Sequence, residues 1–99
     1  MNEITLLDAL QQLWHFKDKR KKLIFEVSFD EGITRTARFG KVWNRVMKEW
    51  DYIVQDGQHS PGFAYGERDA VSAIMSISGM RLIGCTTKYH IMKLGDTNR

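Results

Sequence analysis

The sequence predicts an α+β fold, a small antiparallel sheet with helices packed on one face, in the element order α-β-β-α-α-β. Three features of the 99-residue chain carry this prediction. Two segments, 5–16 and 41–55, place apolar residues three and four positions apart, as one face of a helix does. Between them, residues 23–39 alternate apolar with polar side chains around a turn that contains glycine, as a β-hairpin does.

The first predicted helix covers residues 5–16. Its apolar stripe consists of Leu6, Leu7, Leu10, Leu13 and Trp14. Thr5 precedes this stripe and Asp8 lies three residues later, so the Thr5 hydroxyl is expected to accept a hydrogen bond from the Asp8 backbone amide. The cations of residues 17–22 follow directly, where the negative end of the helix dipole accommodates positive charge.

A hairpin is predicted over residues 23–39. The buried positions of its first strand are every second residue, Leu23, Phe25, Val27 and Phe29. A three-residue loop at 30–32 sets Phe29 opposite Ile33, which places Arg35 on the apolar face. There Arg35 either extends to solvent at the sheet edge or marks a contact site.

A second helix is predicted over residues 41–55 and ends at Asp56-Gly57. Its apolar stripe is Val42, Trp43, Val46, Met47, Trp50, Ile53 and Val54. The polar residues between them are expected to face solvent.

The rest of the chain is expected to contain a loop, a helix and a strand. Residues 56–66 contain three glycines and the only proline, which indicates an irregular connection. A helix is predicted over 67–78, with Ala70, Val71, Ile74, Met75 and Ile77 directed inward. Residues 80–94 favour a strand, either one long strand or a hairpin that bends near Thr86-Thr87, and residues 95–99 are expected to fray.

Length and composition predict a single domain over residues 1–99. The apolar fraction of 42% and the charged fraction of 27% are typical of globular chains. No apolar run is long enough to span a membrane, and the N-terminus lacks the pattern of a signal peptide. Because the single Cys85 cannot form an internal disulfide, a soluble cytoplasmic protein is expected.

The formal net charge of +3 is unevenly distributed. Residues 17–48 hold ten basic and four acidic residues, whereas the remainder holds five basic and eight acidic residues. A basic middle third between weakly acidic ends indicates an anionic partner.

The residues predicted to bind a partner or nucleic acid lie mainly in this basic third. They are Arg35, Arg38, Lys41, Arg45 and Lys48, which run from the hairpin into the second helix, and Lys19, Arg20, Lys21 and Lys22, together with the aromatic loop residues Phe63 and Tyr65. On a helix, Lys41, Arg45 and Lys48 share one solvent-exposed face and can neutralise phosphates. The alternatives are that the cations form an ordinary solvated surface and that the two aromatic residues attach their loop to the core.

No catalytic or metal-binding set is evident in the sequence. The three histidines lie on separate predicted elements, without the spacing of metal ligands: His15, His59 and His90. Cys85 is five residues from His90, so the two side chains would face opposite sides of a strand. The sequence therefore predicts no enzyme, no cofactor and no metal.

These observations predict a small non-enzymatic binding protein that regulates or inhibits a protein or nucleoprotein partner. Short chains without motifs are typical of phage and mobile-element proteins directed at host machinery. The alternative is a nucleic-acid-binding module that uses the basic hairpin–helix surface. Contact with a membrane is not expected, and pairing of two copies through an exposed edge of the last strand is left open.

Overall fold

The structure, a computed structural model, describes residues 3–29, 35–57, 61–77 and 89–98. Its elements are β1 (Glu3–Ile4), α1 (Leu6–His15), β2 (Lys21–Phe29), β3 (Arg35–Asn44), β4 (Glu49–Asp56), β5 (Phe63–Tyr65), α2 (Glu67–Met75) and β6 (Tyr89–Asn98). Within the described residues, the six strands form one antiparallel sheet in the order β1-β6-β2-β3-β4-β5.

The predicted α+β layout, a small sheet with helices on one face in the order α-β-β-α-α-β, is wrong. The described chain is mostly a six-stranded sheet, and its two helices are short. The largest error is the helix predicted over 41–55, which the structure folds as the β3–β4 hairpin. β-Branched and aromatic side chains favour strands, and this segment is rich in both.

Asn44 explains where the β3–β4 hairpin turns. Its side-chain Oδ1 accepts hydrogen bonds from the backbone N–H groups of Val46 and Met47, both at 3.0 Å. The Lys48 backbone N–H donates to the Asn44 carbonyl at 2.8 Å and closes the turn. An asparagine that bonds to the backbone two and three residues ahead offers the chain an alternative to a helical turn.

The bounds of the first helix agree with the prediction, but Leu7 and Trp14 of its predicted apolar stripe are 65% and 47% exposed. α1 begins one residue after Thr5, whose Oγ1 accepts a hydrogen bond from the Asp8 backbone N–H at 3.1 Å. α2 lies within the predicted range 67–78, although Val71, predicted to face inward, is 46% exposed.

Strands β2 and β3 pair as an antiparallel hairpin, as predicted, but two residues out of the predicted register. Phe29 lies opposite Arg35 instead of Ile33, which is outside the described residues. A shift of two residues keeps every side chain on its predicted face. It also sets Glu26 opposite Arg38, whose Nη2 lies 3.0 Å from the Glu26 carboxylate, so that opposite charges meet across the strands.

The core is one buried cluster formed by inward side chains of the sheet and of both helices. Its members are Leu6, Ala9, Leu13, Leu23, Phe25, Val27, Phe29, Ala37, Phe39, Tyr52, Val54, Ala70, Ala73, Ile74, Ile77 and Ile91. The rings of Phe25 and Phe39 stack at its centre, with their centroids 5.4 Å apart. Neither α1 nor α2, the helices of the described part of the chain, is long and apolar enough to cross a membrane.

Strand β6 covers only part of the strand predicted over 80–94, because residues 80–88 lie outside the described ranges. Residues 95–98 do not fray as predicted, since they continue β6 and pair with the start of β2, with Asn98 opposite Lys21. In the sheet β6 lies between β1 and β2, but among the described residues β1 pairs only with Ile91 and Met92. Pairing of two copies along the rest of this edge stays a prediction.

Gly40 marks the tightest approach between β2 and β3. A Cβ atom at this position would collide with the Leu23 carbonyl oxygen and lie 2.5 Å from Ile24 Cδ1. We expect Gly40→Ala to lower the free energy of unfolding by about 1–3 kcal/mol, because the backbone must move to admit a methyl group. Urea denaturation measures this loss. Gly62→Ala is the matched control, since its Cβ would meet nothing closer than 3.4 Å, and equal stability of the two variants would contradict the prediction.

Candidate functional site

Seven cationic residues gather where β2 begins and the β3–β4 hairpin turns. Lys22 pairs with Val42, so the start of β2 lies beside the end of β3. We call these residues the basic end: Lys17, Lys19, Arg20, Lys21, Lys22, Arg45 and Lys48. Six of them are exposed and Lys21 is half-buried. The same two segments, 17–22 and 44–51, contain three acidic residues, so positive charge predominates at this end of the sheet.

Two of the acids are engaged by neighbouring groups. Asp18 Oδ1 accepts a hydrogen bond from the Arg20 backbone N–H at 2.9 Å, and this bond is the main reason that the pKa of Asp18 lies below its ordinary value. Asp51 Oδ2 accepts a hydrogen bond from Asn44 Nδ2 at 3.0 Å, which links the acid to the turn. Glu49 is exposed next to the turn.

Aromatic side chains join the two halves of the basic end. The Trp43 and Trp50 rings meet edge to face, with centroids 5.2 Å apart, and Phe16 packs in the same manner on Trp50 at 5.9 Å. Lys19 Nζ lies 4.1 Å from the centroid of the Trp43 ring, at cation–π distance. The loop that follows α1 is thereby held against the hairpin, and the cations of both segments form one surface.

The largest error in the predicted site is the placement of Lys41. The sequence places it on a solvent-exposed helix face with Arg45 and Lys48, whereas its side chain is 1% exposed and points into the core. Its Nζ donates hydrogen bonds of 2.9 Å to the carbonyl oxygens of Leu13 and Phe16, at the C-terminus of α1. Carbonyls at a helix C-terminus have no intrahelical partners and carry partial negative charge, so they accept an ammonium group readily.

The surroundings of Lys41 are otherwise aromatic and apolar. Its Nζ lies 4.7 Å from the Trp50 ring centroid and 5.2 Å from that of Tyr52. The pKa of Lys41 is lowered to about 8, mainly by burial and also by the nearby positive charge of Lys17, while Glu67 opposes the shift. Lys41 therefore acts as a structural cation that secures the end of α1 on the sheet.

The remaining predicted cations lie away from the basic end. Arg38 is exposed in the middle of β3 and bonds Glu26 through Nε at 3.1 Å and Nη2 at 3.0 Å. Arg35 begins β3 at the opposite end of that strand. The predicted continuous patch from the first hairpin into a helix is therefore not present, because its five residues are divided among a strand, the core and a turn.

The aromatic residues Phe63 and Tyr65 also lie elsewhere. They belong to β5, at the edge of the sheet, where Phe63 is 58% exposed and Tyr65 packs against the core. The structure does not bring them to the basic end. An apolar cleft of about 210 Å³ lies between α1 and α2, with Leu10, Trp14 and Val71 among its lining residues.

Of the three histidines and the single cysteine of the sequence, two lie outside the described residues, namely His59 and Cys85. His15 is exposed at the end of α1. His90 Nδ1 is 2.8 Å from Glu3 Oε1 on the sheet face that the helices leave uncovered. In the described ranges, no three His, Cys, Asp or Glu side chains converge to hold a metal ion.

No protein-family model matches the chain, and the searches of curated proteins and of solved structures find no match either. Function is therefore argued from the site itself.

Sequence reasoning missed the exposed apolar residues Val46 and Met47, which it assigned to a buried helix stripe. They are 87% and 65% exposed at the turn of the β3–β4 hairpin. Asn44 could have indicated that Val46 and Met47 lie in a turn, since asparagine is favoured where a chain turns.

Lys48 closes this turn with φ at 55°, a left-handed conformation that a residue with a Cβ adopts at a cost of roughly 1 kcal/mol. We expect Lys48→Gly to raise the free energy of unfolding by about 0.5–1 kcal/mol. Lys48→Ala retains the Cβ atom and serves as the control. Thermal unfolding compares the two variants, and the account of the turn fails if the glycine variant is the less stable one.

Proposed function

We propose that this chain is a non-enzymatic binding protein that contacts nucleic acid, alone or within a nucleoprotein, through the basic end. The observation that carries the proposal is the gathering of seven cations from two separate segments at one end of the sheet. A cluster of exposed Lys and Arg side chains on one side of a small protein favours phosphate groups as partners.

The arrangement of the cations supports this proposal beyond their number. The residues of segment 17–22 and those of the turn are held together by the Lys19–Trp43 contact and by the Phe16–Trp50 and Trp43–Trp50 ring pairs. Because the surface is fixed before binding, less conformational entropy is lost when phosphates bind to it. The long side chains of exposed Lys and Arg can still adjust to the path of a phosphate backbone.

Regulation or inhibition of the bound assembly is the biological role that we propose for such contact. A small protein that occupies the phosphates of a nucleoprotein blocks other basic proteins from the same surface.

The cytoplasm is the compartment that we propose, since the only cysteine of the chain cannot form an internal disulfide. Assembly of two copies is not required by this proposal.

Fluorescence anisotropy with labelled duplex DNA, single-stranded DNA and duplex RNA tests the proposal. Displacement of counterions makes binding to phosphates strongly dependent on salt. If four to six of the cations contact phosphates, affinity falls roughly a hundredfold to a few thousandfold between 50 and 200 mM salt. Absence of binding to every one of these probes at 50 mM salt would sink the proposal and leave a protein surface as the partner.

A further inference from the structure

The turn of the β3–β4 hairpin carries two exposed apolar side chains between two cations. We call residues 45–48 the hairpin tip. Val46 is 87% exposed and Met47 is 65% exposed, and Arg45 and Lys48 flank them directly. Adjacent, highly exposed apolar side chains at the end of a projecting element are typical of a contact surface.

The hairpin tip projects beyond the rest of the sheet. Strand β2 begins at Lys21, one residue before its first pair with β3 at Lys22 and Val42, and pairing of β5 with β4 stops at Tyr52. The last cross-strand pair of the hairpin, 44 with 49, therefore extends past both neighbouring strands. At about 3.4 Å per residue, this pair and the turn beyond it project by roughly 5–7 Å.

The projecting segment is also well ordered by contacts of its own. Asn44 makes three side-chain hydrogen bonds, to the backbone of Val46 and Met47 and to Asp51. The Trp43–Trp50 pair braces the hairpin directly behind the turn. A two-stranded ribbon of this kind presents the side chains of its tip in a fixed orientation.

We propose that the hairpin tip enters the major groove of duplex DNA, where Val46 and Met47 contact base edges while Arg45 and Lys48 contact the flanking phosphates. This inference rests on the proposed function and names the substrate class of the same surface. The major groove of B-form DNA is about 12 Å wide and about 8.5 Å deep and admits a two-stranded ribbon, which agrees with the projection of the tip. Apolar side chains find partners there in thymine methyl groups.

The charge around the hairpin tip favours duplex DNA as its partner over an apolar protein surface. The five cations of segment 17–22 lie behind the tip, on the same end of the sheet, where the phosphates that border a groove would meet them. Glu49 is the acid nearest to the apolar pair in sequence, and it lies at the base of the tip rather than between the cations. Duplex RNA is excluded on geometry, because its major groove is too deep and narrow for side chains to read.

The double variant V46S/M47S tests the inference, with L7S/V71S as the matched control. Leu7 and Val71 are also exposed, at 65% and 46%, but lie on the helices. We expect V46S/M47S to bind duplex DNA roughly tenfold to a hundredfold more weakly than the native protein, because two apolar contacts are lost. The salt dependence should stay unchanged, because the cations remain. The control should bind as the native protein does, and circular dichroism checks that both variants are folded.

Each of the following outcomes would overturn the inference that the hairpin tip enters the major groove. Equal affinity of V46S/M47S and the native protein for duplex DNA overturns the inference, as does an equal loss of affinity for duplex RNA. Binding of the native protein to single strands but not to duplex DNA overturns it while the proposed function stands. The native protein could instead bind phosphatidylserine vesicles and not nucleic acid, and V46S/M47S could lose this binding. That result would assign the hairpin tip to a lipid surface and overturn both proposals.

Discussion

The triple variant K22Q/R45Q/K48Q is expected to bind nucleic acid roughly a hundredfold to a thousandfold more weakly than the native protein at 0.1 M salt. Each phosphate contact releases close to one counterion, which at this salt concentration is worth about a factor of ten in affinity. All three side chains are exposed at the basic end, so their replacement leaves the core intact. Anisotropy titrations at several salt concentrations measure both the loss of affinity and the reduction of the salt slope by about three.

A second triple variant separates the position of the charges from their number. Arg38, Arg68 and Lys93 are exposed and lie away from the basic end, so R38Q/R68Q/K93Q lowers the net charge by the same three units. We expect this control to lose no more than a fewfold in affinity, since long-range attraction weakens over a Debye length of about 10 Å. Equal losses in the two variants would show that net charge, and not the basic end, determines binding.

Replacement of Lys41 is expected to have the largest effect on stability. Lys41→Ala removes a buried aliphatic stem and both hydrogen bonds to the end of α1, so the free energy of unfolding should fall by about 2–4 kcal/mol. Lys41→Met fills a similar volume and should lose less, because only the hydrogen bonds are lost. Chemical denaturation measures both changes, and an alanine variant as stable as the native protein would contradict the structural role of this lysine.

The pH dependence of stability tests the environment of Lys41 independently. Its pKa is about 8 in the folded chain and near 10.5 when unfolded, so between these values the unfolded chain binds more protons. The stability of the native protein relative to Lys41→Met should therefore rise with pH through this window, by up to about 3 kcal/mol. A neutral amine still carries two donors for the carbonyls of Leu13 and Phe16. A difference that is flat or falls from pH 8 to 10.5 would contradict this account.

Local sequence patterns predicted those elements whose determinants are close together in the chain. The apolar stripe and the Thr5 cap define α1 within one turn of the helix, and strict alternation defines β2. The register between β2 and β3 depends on residues farther apart, namely the Glu26–Arg38 pair and the space at Gly40 opposite Ile24. Alternation alone cannot distinguish registers that differ by two residues, because both place the same side chains on each face.

The basic end was predicted in part, because charge can be counted along the chain while burial cannot. The sequence predicts six of its seven cations as binding residues, all except Lys17. The sequence predicts Lys41 at the surface because a helix over 41–55 places it on one face with Arg45 and Lys48. Its partners in the structure are backbone carbonyls 25 and 28 residues away in sequence, which no local pattern indicates. The helix prediction over 41–55 also hid the hairpin tip, since apolar spacing in this segment fits a helix as well as a hairpin.

The central claim is that nucleic acid binds at the basic end, and mapping of chemical shifts locates this contact directly. The ¹⁵N-labelled protein is titrated with a short DNA duplex, and the movement of each assigned backbone amide signal is followed. The account predicts the largest changes at residues 17–22 and 44–49 and at the indole N–H of Trp43. Changes concentrated at the cleft between α1 and α2, or on the sheet face around Glu26 and Arg38, would contradict it.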